Sequence, residues 1–139
     1  MKALTLTQPW ATLVALEAKR VETRNWRTRY HGPLTIHAGR RFPREAIDLA
    51  SQLRVEGMIP WPLPFGAVIA TAELLDCVPV EKVKDRLSGF ERRVGNYSEG
   101  RYAFILGMVH RVDPIPCRGA LGMWTLPAAI ADRIWFGAQ

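Results

Sequence analysis

Read from the N-terminus, apolar and polar residues alternate over Lys2–Thr7, apart from Ala3, and predict a first strand. Thr7 is placed to cap a helix with Pro9 in its first turn, and Trp10, Leu13 and Val14 fall on one face of that helix. Around Lys19 the period changes from helical to alternating, which predicts a strand over Arg20–Trp26. A turn over Arg27–Gly32 leads to a third strand, Pro33–Ala38. Its Leu34 and Ile36 take one face and its Thr35 and His37 the other. Pro43 opens a second helix whose stripe of Ala46, Ile47, Ala50 and Leu53 ends at Gly57. Three prolines in Met58–Phe65 predict a stiff loop.

Gly66–Cys77 carries the strongest strand pattern, dense in apolar and β-branched residues. A short helix follows over Glu81–Leu87, and the polar Ser88–Gly100 segment is expected to be a mobile loop. Further strands are predicted over Arg101–Val112 and Leu121–Leu126, and a terminal helix over Pro127–Phe136. Six strands with a few helices between them, not alternating one for one, argue against a doubly wound sheet. They predict one α+β domain over residues 1–139, a mixed β-barrel with inserted and capping helices.

Composition narrows the class. Apolar residues make up 48% and charged residues 23%, as in ordinary globular proteins. No run approaches the ~20 apolar residues that cross a bilayer, and the start is too short and too early broken by Pro9 for a secretory signal. The expectation is a cytoplasmic protein that engages no membrane. Cys77 and Cys117 stand far apart and read as reduced thiols. His31, His37 and His110 lack partners at metal-ligand spacing, so no metal site is expected. The glycines have neither dinucleotide nor P-loop spacing, and no cofactor is expected.

Charge adds a partner. The net charge is +6, yet Lys19–Arg44 alone holds eight cations against one acid, Glu22. The positive charge thus belongs to one segment, and Arg outnumbers Lys fifteen to four. Guanidinium groups suit bidentate phosphate contact and stacking on bases, so RNA or a modified nucleoside is the expected partner, against a merely solvated basic face.

The candidate chemistry lies in Glu17-Ala18-Lys19-Arg20-Val21-Glu22-Thr23-Arg24-Asn25-Trp26. On a strand Glu22 and Arg24 share one face. Lys19 sits where helix gives way to strand, so the turn can swing its amine towards Glu22. Such a cluster can supply an amine as base or nucleophile and a carboxylate that deprotonates water. It can equally be a structural ion-pair network closing a barrel. Trp10 and Trp26 can stack on a base, with core packing the alternative. His37 can meet a base edge, Arg40 and Arg41 phosphates, and Glu73 can enter the pocket from the central strand. Tyr102 and Trp124 read as core.

The same run resembles the ASCH signature Gly-x-Lys-x-x-Glu-x-Arg at Lys19, Glu22 and Arg24, with Glu17 where that family has Gly. Thr5–Ala11, Gly32–Ala38, Gly66–Ala72, Gly100–Phe104 and Arg118–Trp124 are similar to further blocks of its bacterial branch, in the same order. The resemblance covers nearly the whole chain. It implies a PUA-like fold and action on RNA. Some members of the family remove the acyl group from N4-acylated cytidine, using a Lys at the position of Lys19. In these the position of Glu22 can be Thr. Other members are described as ribonucleases. On this resemblance the expected function is amide hydrolysis of acylated cytidine by Lys19 and Glu22, with Arg24 holding the oxyanion. The alternatives are a non-catalytic RNA-binding module and a single-strand ribonuclease.

Overall fold

A computed structural model of the protein describes residues 1–137. Its strands are β1 (Lys2–Leu6), β2 (Val21–Arg24), β3 (Gly32–Ala38), β4 (Ala67–Pro79), β5 (Tyr102–Pro116) and β6 (Met123–Thr125). Its α-helices are α1 (Trp10–Ala15), α2 (Arg44–Val55), α3 (Gly89–Val94) and α4 (Ala128–Gly137). The six strands form one mixed sheet in the order β2-β5-β4-β3-β1-β6, with β1 and β3 parallel and the remaining neighbours antiparallel. β4 and β5 are long, and their register shifts at three points. Each shift adds local twist, and together they curl the sheet. The edge strands β2 and β6 do not pair with each other. The expected barrel is therefore a half-barrel of α+β, PUA-like architecture.

The helix α1 lies at the centre of the packing. All of Ala11–Ala15 is buried, as a short helix requires when both its faces are covered. Ala11, Val14 and Ala15 join Leu4, Leu6, Leu34, Ile36, Ala70 and Phe104 of the sheet. Leu13 points the other way, to Ala50 and Leu53 of α2, Val94 of α3, and Ile59 and Leu63 of the proline-rich loop. On the opposite face of the sheet Val68 packs with Ala3, Ile115, Leu126 and Ile134. The alternation in β3 is kept, but Thr35 and His37 are buried because α4 and the β5–β6 connection cover the second face.

Three local expectations need correcting. Thr7 does not cap α1; the Gln8 side-chain carbonyl accepts from the Thr12 N–H, and its amide donates to the Pro64 carbonyl. Ile47 is 37% exposed, so the core side of α2 is Ala46, Ala50 and Leu53. The Ser88–Gly100 segment is not simply a loop. Ser88 accepts from the Glu91 N–H and starts α3, while Glu81–Leu87 is reduced to two 3₁₀ turns, Val80–Lys82 and Lys84–Arg86.

The end of α1 sets the position of Lys19. The Glu17 N–H donates to the Val14 carbonyl and the Ala18 N–H to the Leu13 carbonyl, the paired bonds of a Schellman cap. The residue after the C-cap in that motif is left-handed, and here it is Glu17 with φ 61°. A side chain there is strained by roughly 1 kcal/mol relative to glycine. Glu17→Gly is accordingly expected to raise the thermal unfolding midpoint by a few degrees. A lower midpoint in a calorimetric scan would contradict this account of the cap.

Candidate active site

Lys19 leaves the Schellman cap with its N–H donating to the Leu13 carbonyl, and its side chain runs inward until only 1% of the residue is exposed. A buried ammonium requires a carboxylate, and Glu91 provides it at 3.3 Å. Glu91 also accepts from the Arg20 N–H at 2.6 Å and from the Tyr97 hydroxyl at 3.3 Å. The Tyr97 ring lies 5.6 Å from the Lys19 amine, adding a cation–π contact. Burial, and then the neighbouring Glu91 carboxylate, push the Tyr97 hydroxyl above its ordinary range. It therefore stays a phenol and a donor.

The expected partner of Lys19, Glu22, is engaged elsewhere. It pairs with Arg24 at 3.2 Å, as two residues on one face of β2 should. Arg24 also donates through Nη2 to the Thr5 carbonyl at 2.7 Å. Thr23, on the other face of β2, donates to the Asn96 carbonyl and receives Arg101 Nε, while Arg101 Nη2 reaches the Thr23 carbonyl. These bonds tie β2 to the segment after α3 and to the start of β5.

Lys19, Glu22 and Arg24 line one cleft of about 440 Å³, together with Trp10, Glu45 and Arg101. That volume is of the size that takes small molecules. Trp10 donates its indole N–H to the Val94 carbonyl at 2.6 Å, which holds the ring as a fixed wall.

His37, Arg40 and Arg41 line an adjoining cavity of about 760 Å³ that shares Thr5, Thr7 and Arg24 with the first. The Cys117 carbonyl can only accept, so His37 carries its proton on Nε2 and donates to it at 2.7 Å. Nδ1 then accepts from the Thr5 hydroxyl at 3.2 Å, and that oxygen accepts from Trp124 Nε1 at 3.0 Å. Burial pushes the His37 imidazole below its ordinary 6.5. The unfolded chain therefore binds the His37 proton more readily than the folded one. Stability from this group should be complete above about pH 6.5 and decline as the pH falls below it. Unfolding midpoints across that range should fall, and His37→Gln should flatten the decline. Parallel profiles for the two proteins would contradict it.

Two candidates lie apart from both cavities. Trp26 packs edge-on against Phe104 at 5.1 Å, so its ring belongs to the core. Glu73 sits at the middle of β4, opposite Pro33 and Gly107, and lines neither cavity. Glu91 is the residue that sequence reasoning missed. Its local signal was present: Ser88-Gly89-Phe90-Glu91 has the Ser-x-x-Glu spacing of a capping box. Among the described residues, no group of three or more His, Cys, Asp or Glu is placed to hold a metal ion, both cysteines are free, and no helix is long and apolar enough to cross a membrane.

Comparison with known proteins agrees with this architecture. The ASCH domain family matches residues 4–115. Activating signal cointegrator 1 of Mus musculus and that of Homo sapiens are each 28% identical over 134 residues. The match covers 91% of this chain but only 22% of either relative. The crystal structure of ASCH from Zymomonas mobilis superposes with a TM-score of 0.62 at 16% identity, covering 97% of this chain and 93% of that one. A point mutant of the same protein gives 0.61 at 17% identity, with 97% and 96% covered.

Proposed function

The chain belongs to the ASCH domain family, and from the cleft that this fold builds we propose that it is an RNA- or nucleoside-directed hydrolase that removes the acyl group from N4-acylated cytidine. The observation that carries this reading is the buried Lys19–Glu91 pair, whose Lys19 forms part of the cleft wall beside Glu22 and Arg24 while Glu91 lies behind it. An amine in this position has an internal proton acceptor 3.3 Å away. A purely structural ion pair has no need of an open cleft at its lysine.

The reaction follows from these groups. The acylated base stacks on Trp10, a contact worth ~1–3 kcal/mol. Entry of the substrate displaces water and strengthens every charge interaction in the cleft. The Lys19 ammonium gives a proton to Glu91, and the freed amine takes one from an attacking water that Glu22 orients. The water oxygen bonds to the acyl carbon. The carbonyl electron pair moves onto oxygen, where the Arg24 guanidinium stabilises it. The C–N bond then breaks as Lys19 returns its proton to the leaving N4 amine, and Glu91 returns its own to Lys19. The products are the free acid and cytidine. Arg24 remains oriented throughout by Glu22 and by the Thr5 carbonyl.

One observation favours a second reading, a non-catalytic RNA-binding module: the adjoining cavity is rich in arginine. A single assay separates the two. Purified protein is incubated with N4-acetylcytidine and, separately, with single-stranded RNA, and the products are resolved by chromatography. Release of cytidine is the expected result. Binding of RNA with both substrates intact would replace the hydrolase reading by the binding one, and strand cleavage would point to a ribonuclease.

A further inference from the structure

The cavity beside the reactive cleft has its own composition. Arg24, Arg40, Arg41 and Arg118 line it, and no carboxylate does. Among the described residues, Arg40, Arg41 and Arg118 form no ion pair, so their charges are unspent. Arg24 does pair with Glu22, yet its Nε is buried without any hydrogen-bond partner. An unsatisfied buried donor costs free energy that an incoming acceptor relieves. His37 adds no lasting charge, because burial disfavours its protonated form. The field in this cavity is therefore that of the guanidinium groups.

The cavity is also shaped in advance. Gly66 has φ +64°, and a Cβ there would stand 2.5 Å from Arg40 Nε. The Arg40 side chain thus lies across bare glycine backbone, in a position that any larger residue would deny it. Gly119 makes the same kind of close approach: its Cβ would meet the His37 ring at 2.7 Å and the Thr5 hydroxyl at 2.8 Å. The wall beneath is held by the hydrogen-bonded series Trp124, Thr5, His37 and Cys117. Thr5 joins the two cavities, since its carbonyl receives Arg24 and its hydroxyl donates to His37.

We infer that this cavity is a phosphate subsite, so that the preferred substrate is a nucleotide, free or within a strand, and not a bare nucleoside. The inference rests on the reading of the neighbouring cleft as a cytidine site. A base on Trp10 with its acyl group at Lys19 has its sugar-phosphate leading away, and Arg24 marks the boundary where the second cavity begins. Arginine suits the task because its planar fork grips two phosphate oxygens at once. The phosphate can be the 5′-monophosphate of a free nucleotide or the phosphodiester of a strand. Both present the same anionic oxygens.

Binding measurements test this without turnover. Calorimetric titrations compare cytidine, cytidine 5′-monophosphate and a short single-stranded RNA carrying one central cytidine and no terminal phosphate. At low salt at least one phosphate-bearing ligand should bind about tenfold or more tightly than cytidine. The advantage should shrink as salt is raised. Which of the two shows it identifies the source of the phosphate. The double variant Arg40→Ala/Arg118→Ala should bring the ratio of nucleoside to nucleotide Kd close to one. Equal affinities for all three ligands, no detectable binding of any of them, or a ratio unchanged in the variant would each overturn the inference. Failure of the hydrolase reading looks different: phosphate discrimination would persist while N4-acetylcytidine remained intact.

Discussion

Lys19→Arg should slow hydrolysis of N4-acetylcytidine by roughly a hundredfold to ten-thousandfold, the span that general acid–base groups contribute. The guanidinium keeps the positive charge but holds its proton, so it cannot carry one from water to the leaving amine. It can still pair with Glu91, which makes this variant more informative than Lys19→Ala. Alanine deletes the amine but strands the Glu91 carboxylate, whose side chain is only 9% exposed, and lost activity there mixes chemistry with stability. Initial rates with N4-acetylcytidine, taken beside a circular dichroism melt, separate the two effects. A Lys19→Arg enzyme with near-normal turnover would mean that only charge is needed at this position. The proton-transfer role would then fail. Glu22→Gln should lower the rate without abolishing binding, since it keeps the shape of the side chain that orients the water.

The second large effect concerns stability. Glu91→Leu should cost about 3–5 kcal/mol in urea unfolding, because it leaves the Lys19 ammonium buried and unpaired. It also removes the acceptor of the Arg20 N–H and the Tyr97 hydroxyl. Lys19→Met should show a loss of similar size, for the converse reason. Both changes together replace a buried ion pair by apolar groups, and such replacement is often close to neutral. The double variant should therefore be markedly more stable than the sum of the single losses implies. Simple additivity in the double-mutant cycle would show that the two groups do not act as a pair. The same cycle read by activity should give no recovery, since the apolar pair cannot move a proton.

Much of the architecture was legible because its causes are local. The strands β3, β4 and β5 declare themselves by alternation and β-branched content, and the structure keeps them, with β5 extended to Pro116. The shared face of Glu22 and Arg24 follows from a two-residue period and needs no tertiary information. Glu17 stood out only through the resemblance, as a side chain where the ASCH signature has Gly, and the left-handed φ at the helix end supplies the physical reason. Val68 shows where such local reading stops. It lies on a strand covered on both faces, and alternation cannot tell which core receives a residue when both faces are apolar.

What the amino-acid sequence determined alone is the set of groups: a lysine at a helix end, a Glu–Arg pair on the following strand, and cations concentrated in one segment. What only the tertiary structure decided is their pairing. Glu91 lies 72 residues beyond Lys19, in a stretch whose polarity reads as loop. A short helix capped by Ser88 brings it against the end of α1, and the hydrogen bonds of Thr23 with Asn96 and Arg101 tie β2 to the segment that follows. No local period encodes that meeting. It is set by the burial of the Lys19 amine, which must find a carboxylate once α1 is packed on both faces. The Lys19–Glu22 pair expected from spacing gave way for the same reason: Glu22 stays at the cleft surface beside Arg24, while the interior reserves Glu91 for the buried amine.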